Sequence, residues 1–267
     1  MSFNVDNLVI EVTRKCNMKC PHCLRGNAQR KIIPNEYIDK MLRLIDNVST
    51  LSITGGEPTL AMDTLNYIKK NIGYGQCDVG NFYMVTNGKA INVKQLAEWA
   101  DIMVSVCSDN EISAIAFSFD NYHRDTFSCY QCDKQKRNYD ALIDLLNYEY
   151  GFEDILDRDN FVYKHSDDSW DNKSLIREGR AKDFGTKDKK AKEFEIDYYD
   201  NNTQVSENQL YLSCSGYIVA GCDWSYDSID NNLDIRIAHI DDLHCPQDLL
   251  NAIKEYNKKC EKQLQFA

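Results

Sequence analysis

Cys16, Cys20 and Cys23 fall in one short run, Cys16-Asn17-Met18-Lys19-Cys20-Pro21-His22-Cys23. The run follows an apolar, strand-like segment, Leu8 to Thr13, so three thiolates leave the end of a strand on one loop. Cubane iron–sulfur clusters are normally held by four thiolates, and the ferredoxin run places its four cysteines close together. Here the next cysteine is Cys77, well outside the loop. Three thiolates can hold three irons of a [4Fe–4S] cube and leave the fourth open to chelate another molecule, which suits chemistry better than electron storage. A zinc ion is the competing reading, because His22 would complete a Cys3His set. Structural zinc usually takes ligand pairs from two separate turns, and residues this close on one loop rarely converge on a tetrahedral ion. The spacing therefore favours the cluster.

A second run, Thr54-Gly55-Gly56-Glu57-Pro58, leaves another strand-like segment, Thr50 to Thr54. Glycine lets a backbone approach a ligand closely, and a residue before proline is held extended. Glu57 is thus expected to be presented rather than tucked into a helix. Alone, such a turn is only a strand-to-helix connection. It follows the cysteine loop by one strand–loop–helix–strand unit, and the pair is far more specific than either run.

From about Leu8 to Asp120 the chain resembles the radical S-adenosylmethionine (SAM) enzymes. The resemblance implies that Cys16, Cys20 and Cys23 hold a [4Fe–4S] cluster whose open iron binds the amino and carboxylate groups of SAM. His22 then stands where an aromatic residue commonly packs near the adenine, and Gly55, Gly56 and Glu57 contact the methionine ammonium. Tyr83-Met84-Val85-Thr86-Asn87-Gly88 resembles the family's third strand and its exit, and Ala116-Phe117-Ser118-Phe119-Asp120 the fourth. By that likeness Thr86, Asn87, Ser118 and Asp120 contact SAM or substrate. Read on their own, Asn-Gly is a turn signal, and Ser or Asp after a buried strand caps the next helix. Leu175-Ile176-Arg177-Glu178-Gly179-Arg180-Ala181 resembles a Gly-Arg-Ala segment of peptide-modifying members, with Arg180 the foremost candidate.

The chemistry so implied is reductive cleavage of SAM. A one-electron donor such as flavodoxin or ferredoxin reduces the cluster, and a 5′-deoxyadenosyl radical then removes hydrogen from a substrate. A peptide or protein substrate is favoured by the Gly-Arg-Ala run and by a C-terminal hairpin. A small molecule, such as a nucleoside or pterin precursor, is the alternative, and a non-catalytic iron–sulfur or zinc protein a third. The cluster loop begins at residue 16, with no preceding peptide-recognition domain of the kind peptide-modifying members frequently carry. Both enzymatic readings therefore stay open. Tyr122, His123 and Cys129 follow the fourth strand as weak candidates to face substrate.

The elements that must position these residues read as strand–helix repeats. The chain has 267 residues, 43% hydrophobic, enough for a continuous core. A formal net charge of −11 argues against sequence-independent binding to nucleic acid or anionic membranes. No long apolar stretch or signal-peptide pattern appears, and eleven cysteines including a cluster loop suit a reducing compartment, so a cytoplasmic location is expected. Apolar periods predict strands over Leu8 to Thr13, Thr50 to Thr54, Phe82 to Thr86 and Ile115 to Phe119. Helices are predicted over Tyr37 to Val48, near Asp63 to Ile72, from Val93 to Cys107 and over Tyr139 to Tyr148. Phe161 to Tyr163 reads as a fifth strand and Leu175 to Ile176 as a sixth.

Such repeats imply an α/β fold with a parallel sheet, and reactive residues gather at the carboxyl ends of parallel barrel strands. The resemblance makes it a partial (β/α)6 TIM-like barrel over residues 1–195, with a small C-terminal hairpin and helix extension over 196–267. In that extension Gln209 to Cys222 alternates around a Ser-Gly turn and predicts a hairpin. Asp223-Trp224-Ser225-Tyr226-Asp227 then covers the barrel mouth or packs on it. Peptide-modifying relatives often carry C-terminal auxiliary clusters, so the resemblance raises one on Cys214, Cys222 and Cys245, joined by Cys260 or Cys132. The competing reading makes Cys214 and Cys222 small buried apolar residues.

Overall fold

A computed structural model describes residues 2–119, 129–152, 161–165, 176–183, 185 and 192–265. Five strands, β1 (Ser2–Thr13), β2 (Asn47–Gly55), β3 (Asp78–Thr86), β4 (Ala114–Ser118) and β5 (Val162–His165), lie side by side in chain order, all parallel. Parallel neighbours need crossover connections. These contain α1 (Asn35–Leu44), α2 (Met62–Gly73), α3 (Val93–Val106) and α4 (Cys129–Tyr150). Each helix buries an apolar stripe on the sheet. In α1 this is Ile38, Met41, Leu42 and Leu44. In α3 it includes Trp99, whose indole Nε1 donates to Leu65 O at 3.0 Å and whose ring meets Phe82 edge-on at 5.3 Å.

The strands begin earlier than the sequence reading places them, for one shared reason. Buried apolar positions alternate as a half-buried strand requires, but the alternation slips once in each of three neighbours. Val5 is followed by Leu8, Val48 by Leu51, and Val79 by Phe82, a step of three in place of two. Period-two reading starts only after the slip, which is where the expected strands start. The helix expected over Tyr37 to Val48 ends at Leu44 and Val48 belongs to β2. Asp46 draws the chain out of the helix: its N–H donates to Phe3 O at 2.8 Å and its carboxylate accepts from Phe3 N at 2.7 Å. Of the expected sixth strand, Leu175 lies outside the described residues and Ile176 belongs to no named strand.

The far edge of β1 is covered by the C-terminal part of the chain. After β6 (Glu195–Tyr199), strands β7 (Asn202–Ser206) and β8 (Leu210–Leu212) pair in parallel with the two halves of β1, at Ser2–Val5 and Leu8–Ile10. Next, β9 (Tyr217–Ala220) returns antiparallel to β8 as the expected hairpin, and β10 (Arg236–His239) pairs with β9. Two helices complete this part, α5 (Tyr226–Asn231) and α6 (Pro246–Gln265). The expected boundary at 195/196 falls inside β6, and the strands beyond it belong to the same ten-stranded sheet. Among the described residues no helix is long and apolar enough to cross a membrane.

Candidate active site

The cysteine loop leaves the carboxyl end of β1 and is pinned at its neck. Arg14 N donates to Lys31 O at 3.0 Å, Gln29 N to Arg14 O at 2.9 Å, and Thr13 bridges to Ile32. Within the loop, Cys23 N donates to Cys20 O and Gly26 N to Cys23 O, both at 3.2 Å, giving two successive turns. Gly26 takes the second at φ +85°. Cys20 is buried with Met18, while Cys16, Cys23 and Cys132 of α4 pack around them. His22 is half-buried between Cys20 and Cys23.

The Gly-Gly-Glu-Pro turn fastens directly onto this loop. Gly56 N donates to Thr13 O and Glu57 N to Lys15 O, both at 2.8 Å. A Cβ on Gly55 would lie 2.3 Å from Thr13 O, and one on Gly56 2.4 Å from Lys15 O and 2.9 Å from Cys16 Cβ. Both glycines are therefore needed for the backbone of the cysteine loop to approach.

Glu57 is not presented, contrary to expectation. It is 1% exposed, and its carboxylate accepts from Thr59 Oγ1 (2.5 Å), Thr59 N (3.2 Å), Thr86 Oγ1 (2.6 Å) and Asn87 N (2.8 Å). Its extended backbone before Pro58 agrees with the sequence, but the side chain turns inward to cap the following short helix and to receive the end of β3. Burial pushes its carboxyl up, against the hydrogen bonds from Thr59, Thr86 and Asn87.

The network continues sideways. Asn87 Nδ2 donates to Asn17 Oδ1 inside the cysteine loop at 2.8 Å. Gln135 Nε2, on α4, donates to both Asn87 O and Ser118 O at 2.8 Å, and Asn138 Nδ2 to Gly88 O at 2.8 Å. Thr86, Asn87 and Ser118 thus sit together, all buried, at the carboxyl ends of β3 and β4. Asp120, with Tyr122 and His123, lies outside the described residues. Gln135 and Asn138 escaped the sequence reading because the helix was expected to start only at Tyr139.

Arg180 is brought 160 positions along the chain to the same loop. Its N–H donates to Cys23 O at 3.0 Å and its Nε to Cys20 O at 2.7 Å. Gly179, at φ +56°, leaves no room for a Cβ, which would fall 2.2 Å from Leu24 O. From the C-terminal side, Tyr226 N donates to Arg25 O at 3.1 Å and Arg25 Nη1 to Trp224 O at 2.7 Å. Glu178 holds this segment through Ser225 N (3.1 Å) and Ser228 Oγ (2.8 Å). A buried ion network adds a further clamp. Arg14, fully buried, meets Glu11 at 2.7 Å and Asp230 of α5 at 2.6 Å.

The donor set fits a cluster. Burial chiefly, with Glu57, Cys23 and Cys20 nearby, pushes the Cys16 thiol up to about 11, partly offset by a hydrogen bond from the Met18 backbone. Three cysteines on one loop suit a cationic centre, whose binding displaces the thiol protons. Zinc holds sulfur at about 2.3 Å. Among the described residues, no three His, Cys, Asp or Glu side chains converge on a single-ion position. Cys16, Cys20 and Cys23 would instead hold a cluster through separate irons.

The auxiliary grouping of Cys214, Cys222 and Cys245 is not brought together. Cys214 is buried and its Sγ donates to Glu11 O at 3.1 Å, at the carboxyl end of β1. Cys245 is exposed and lines a hollow with Ser2 and Phe3 at the opposite end. Nine residues of strand at about 3.3 Å each separate those ends by roughly 30 Å. Cys222 lies beside Asp223, and Cys260 is buried with Tyr256 against the sheet. Cys132 alone of this group reaches the tripod.

The fold resembles that of native anSMEcpe with bound AdoMet and Cp18Cys peptide, with a TM-score of 0.54 at 14% identity over 97% of this chain and 83% of that one. In sequence the chain is 30% identical to uncharacterized protein MJ0907 of Methanocaldococcus jannaschii over 45% of each chain. It is 33% identical to a probable GTP 3′,8-cyclase of Thermococcus kodakarensis over 35% of this chain and 30% of that one. The alignments therefore span less than half the length of these relatives. The Radical SAM superfamily model matches residues 10–172, more than half of the chain, including both the cysteine loop and the turn clamped to it. Parallel partial barrel, thiolate tripod and family match agree: the chain belongs to the radical SAM superfamily of enzymes, which implies a [4Fe–4S] cluster and SAM as cofactors.

Proposed function

We propose that Cys16, Cys20 and Cys23 hold the cluster and that the chain uses it to modify a peptide or protein substrate. The observation that carries the cofactor assignment is the loop's triple attachment, to Gly56 and Glu57, to Asn87 and to Arg180. When bound, a reduced cluster would supply the electron for reductive cleavage of SAM and so the radical chemistry that removes hydrogen from the substrate. The protein's part is to keep the loop rigid. Gly55 and Gly56 let two backbones touch, Glu57 collects the donors of β3, and Arg180 holds the carbonyls of Cys20 and Cys23. Glu57, Thr86 and Asn87 act on SAM through the backbone they position, since the Glu57 carboxylate is taken up by the Thr86 hydroxyl and Asn87 N–H, and the Asn87 side chain by Asn17 and Lys89 N. His22, half-buried and lying between two of the ligands in sequence, is assigned to pack on the adenine. Flavodoxin or ferredoxin is the class of electron donor that suits such a cluster.

The substrate reading rests on the wall facing away from the helices. Alternation with buried Leu51, Ile53, Phe82 and Met84 sets Thr50, Ser52, Thr54, Tyr83, Val85 and Tyr163 on that side, all half-buried. All of these but Val85 offer a hydroxyl and none is a cation, and Tyr83 and Tyr163 hydrogen-bond to each other at 3.0 Å. A neutral hydrogen-bonding chain suits that wall better than a triphosphate. The similarity to GTP 3′,8-cyclases supports the second reading, a nucleotide-like small molecule.

The test is anaerobic reconstitution with iron, sulfide, SAM and a strong reductant. Wild type should form 5′-deoxyadenosine, and Cys16→Ala, Cys20→Ala and Cys23→Ala should not. Persistent product in those variants overturns the assignment. Deuterium passing into 5′-deoxyadenosine from labelled peptides, and not from labelled GTP, would decide the substrate class, and the reverse result would select the small-molecule reading.

A further inference from the structure

We propose that Arg25, Tyr211 and Tyr226 form an anion subsite that takes a carboxylate of the substrate. The proposal rests on the peptide reading above and deepens it. Tyr211 stands on β8 beside Val9 of β1, and Tyr226 opens α5. Tyr211 is 0% and Tyr226 2% exposed, yet neither hydroxyl has a hydrogen-bond partner among the described residues. Buried hydroxyls are nearly always satisfied, so two unmet ones on residues that both contact Arg25 point to a missing acceptor. Arg25 joins them. Its guanidinium lies 4.8 Å over the Tyr211 ring, and its backbone carbonyl accepts from Tyr226 N.

Among the described residues Arg25 makes one side-chain hydrogen bond, to Trp224 O, and no carboxylate pairs with it. The nearby acids are already committed. Glu11 accepts from Arg14 and from Cys214 N (3.0 Å), while Asp230 accepts from Arg14 and Lys31. Burial pushes both phenols up, so both remain donors at neutral pH. Three donors and, among the described residues, no uncommitted acceptor, with Val9, Val219, Trp224 and Ile229 packed around Tyr211, select a small oxyanion. Arg14 also lies 4.6 Å over the Tyr226 ring, but Glu11 and Asp230 neutralise it. The one guanidinium here without a described carboxylate, that of Arg25, therefore matches the single charge of a carboxylate and falls well short of a triphosphate. Arg25 lies two residues beyond Cys23, so a substrate anchored here is held beside the cluster loop.

The reconstituted full chain, without SAM, is melted in sodium acetate, acetamide, sodium chloride and inorganic phosphate at constant ionic strength. Acetate should raise the midpoint saturably, acetamide and chloride should leave it unchanged, and phosphate should act more weakly than acetate. The double variant Y211F/Y226F should need at least tenfold more acetate for half of its effect, and so should R25K, which loses the planar fork. Without any anion the double Phe variant should melt above wild type, because two unmet buried hydroxyls are gone. With saturating acetate that order should reverse. An equal response to acetamide, a stronger one to phosphate, or Phe variants that melt lower without anion would overturn the subsite. SAM cleavage is not read in this experiment, so its failure is distinct from failure of the enzyme assignment.

Discussion

Gly56 shows how little slack the site has. Its missing side chain is the space in which Lys15 O and Cys16 Cβ lie. Gly56→Ala should cost about 1–3 kcal/mol through overpacking and should lower the iron retained per chain, read by chemical denaturation and by metal analysis. Unchanged iron and stability would mean that the loop can move aside. The glycine pair was legible as a close-approach turn, whereas the direction of Glu57 was not. A residue before proline declares its backbone, but its carboxylate goes where donors await it. Those donors, Thr86 Oγ1 and Asn87 N, arrive from the next strand about thirty positions later.

Two short elements hold the loop from outside the parallel strands. The turn at Gly179–Ala181 reaches the Cys20 and Cys23 carbonyls through Arg180. Arg180→Ala should cost about 1 kcal/mol for the lost bond and speed iron release to a chelator, while a rate equal to wild type would deny the brace. The second is α5, fastened through Asp230 to Arg14. Burial tends to raise the Asp230 carboxyl, but the hydrogen bond and charge of Arg14, with Lys31, outweigh it and hold it below the ordinary 3.8. A depressed carboxyl stabilises the fold above its ordinary value, and this is lost as pH falls through the depressed one. The stability gap between wild type and Asp230→Asn should therefore be full above pH ~5 and shrink below about pH 4. Urea midpoints at each pH would show it, and a constant gap would refute it. Arg180 was visible in sequence by resemblance, whereas Asp230 carried no motif.

Across the molecule, one sheet runs from β5 to β10 with the cluster-bearing strand inside it. Ending the chain at residue 195 would strip β7 and β8 from β1 and expose Val9 and its neighbours. The shortened chain should lose near-ultraviolet circular dichroism and protease resistance; a folded product would show that residues 1–195 form a domain of their own. The dispersal of Cys214, Cys222 and Cys245 predicts a single cluster, about four irons per chain. Replacing those three by Ala should leave that count unchanged, and a fall in iron would restore the second cluster. The same count on Cys132→Ala tests whether the tripod stands without its cysteine neighbour on α4.

Contiguous residues carried the cluster chemistry, the two clamped motifs and the strand–helix repeat, because ligand spacing, turn chemistry and apolar period are local properties. The hairpin at Leu210–Ala220 was legible for the same reason. Packing settled the rest. The inward turn of Glu57, the reach of Arg180 over 160 positions and the contact of Cys214 with Glu11 over 203 depend on which strands lie beside β1. So does the pairing of Arg25 with Tyr211. Strand order and register are set by burying the sheet as a whole, and no window of neighbouring residues contains that free energy.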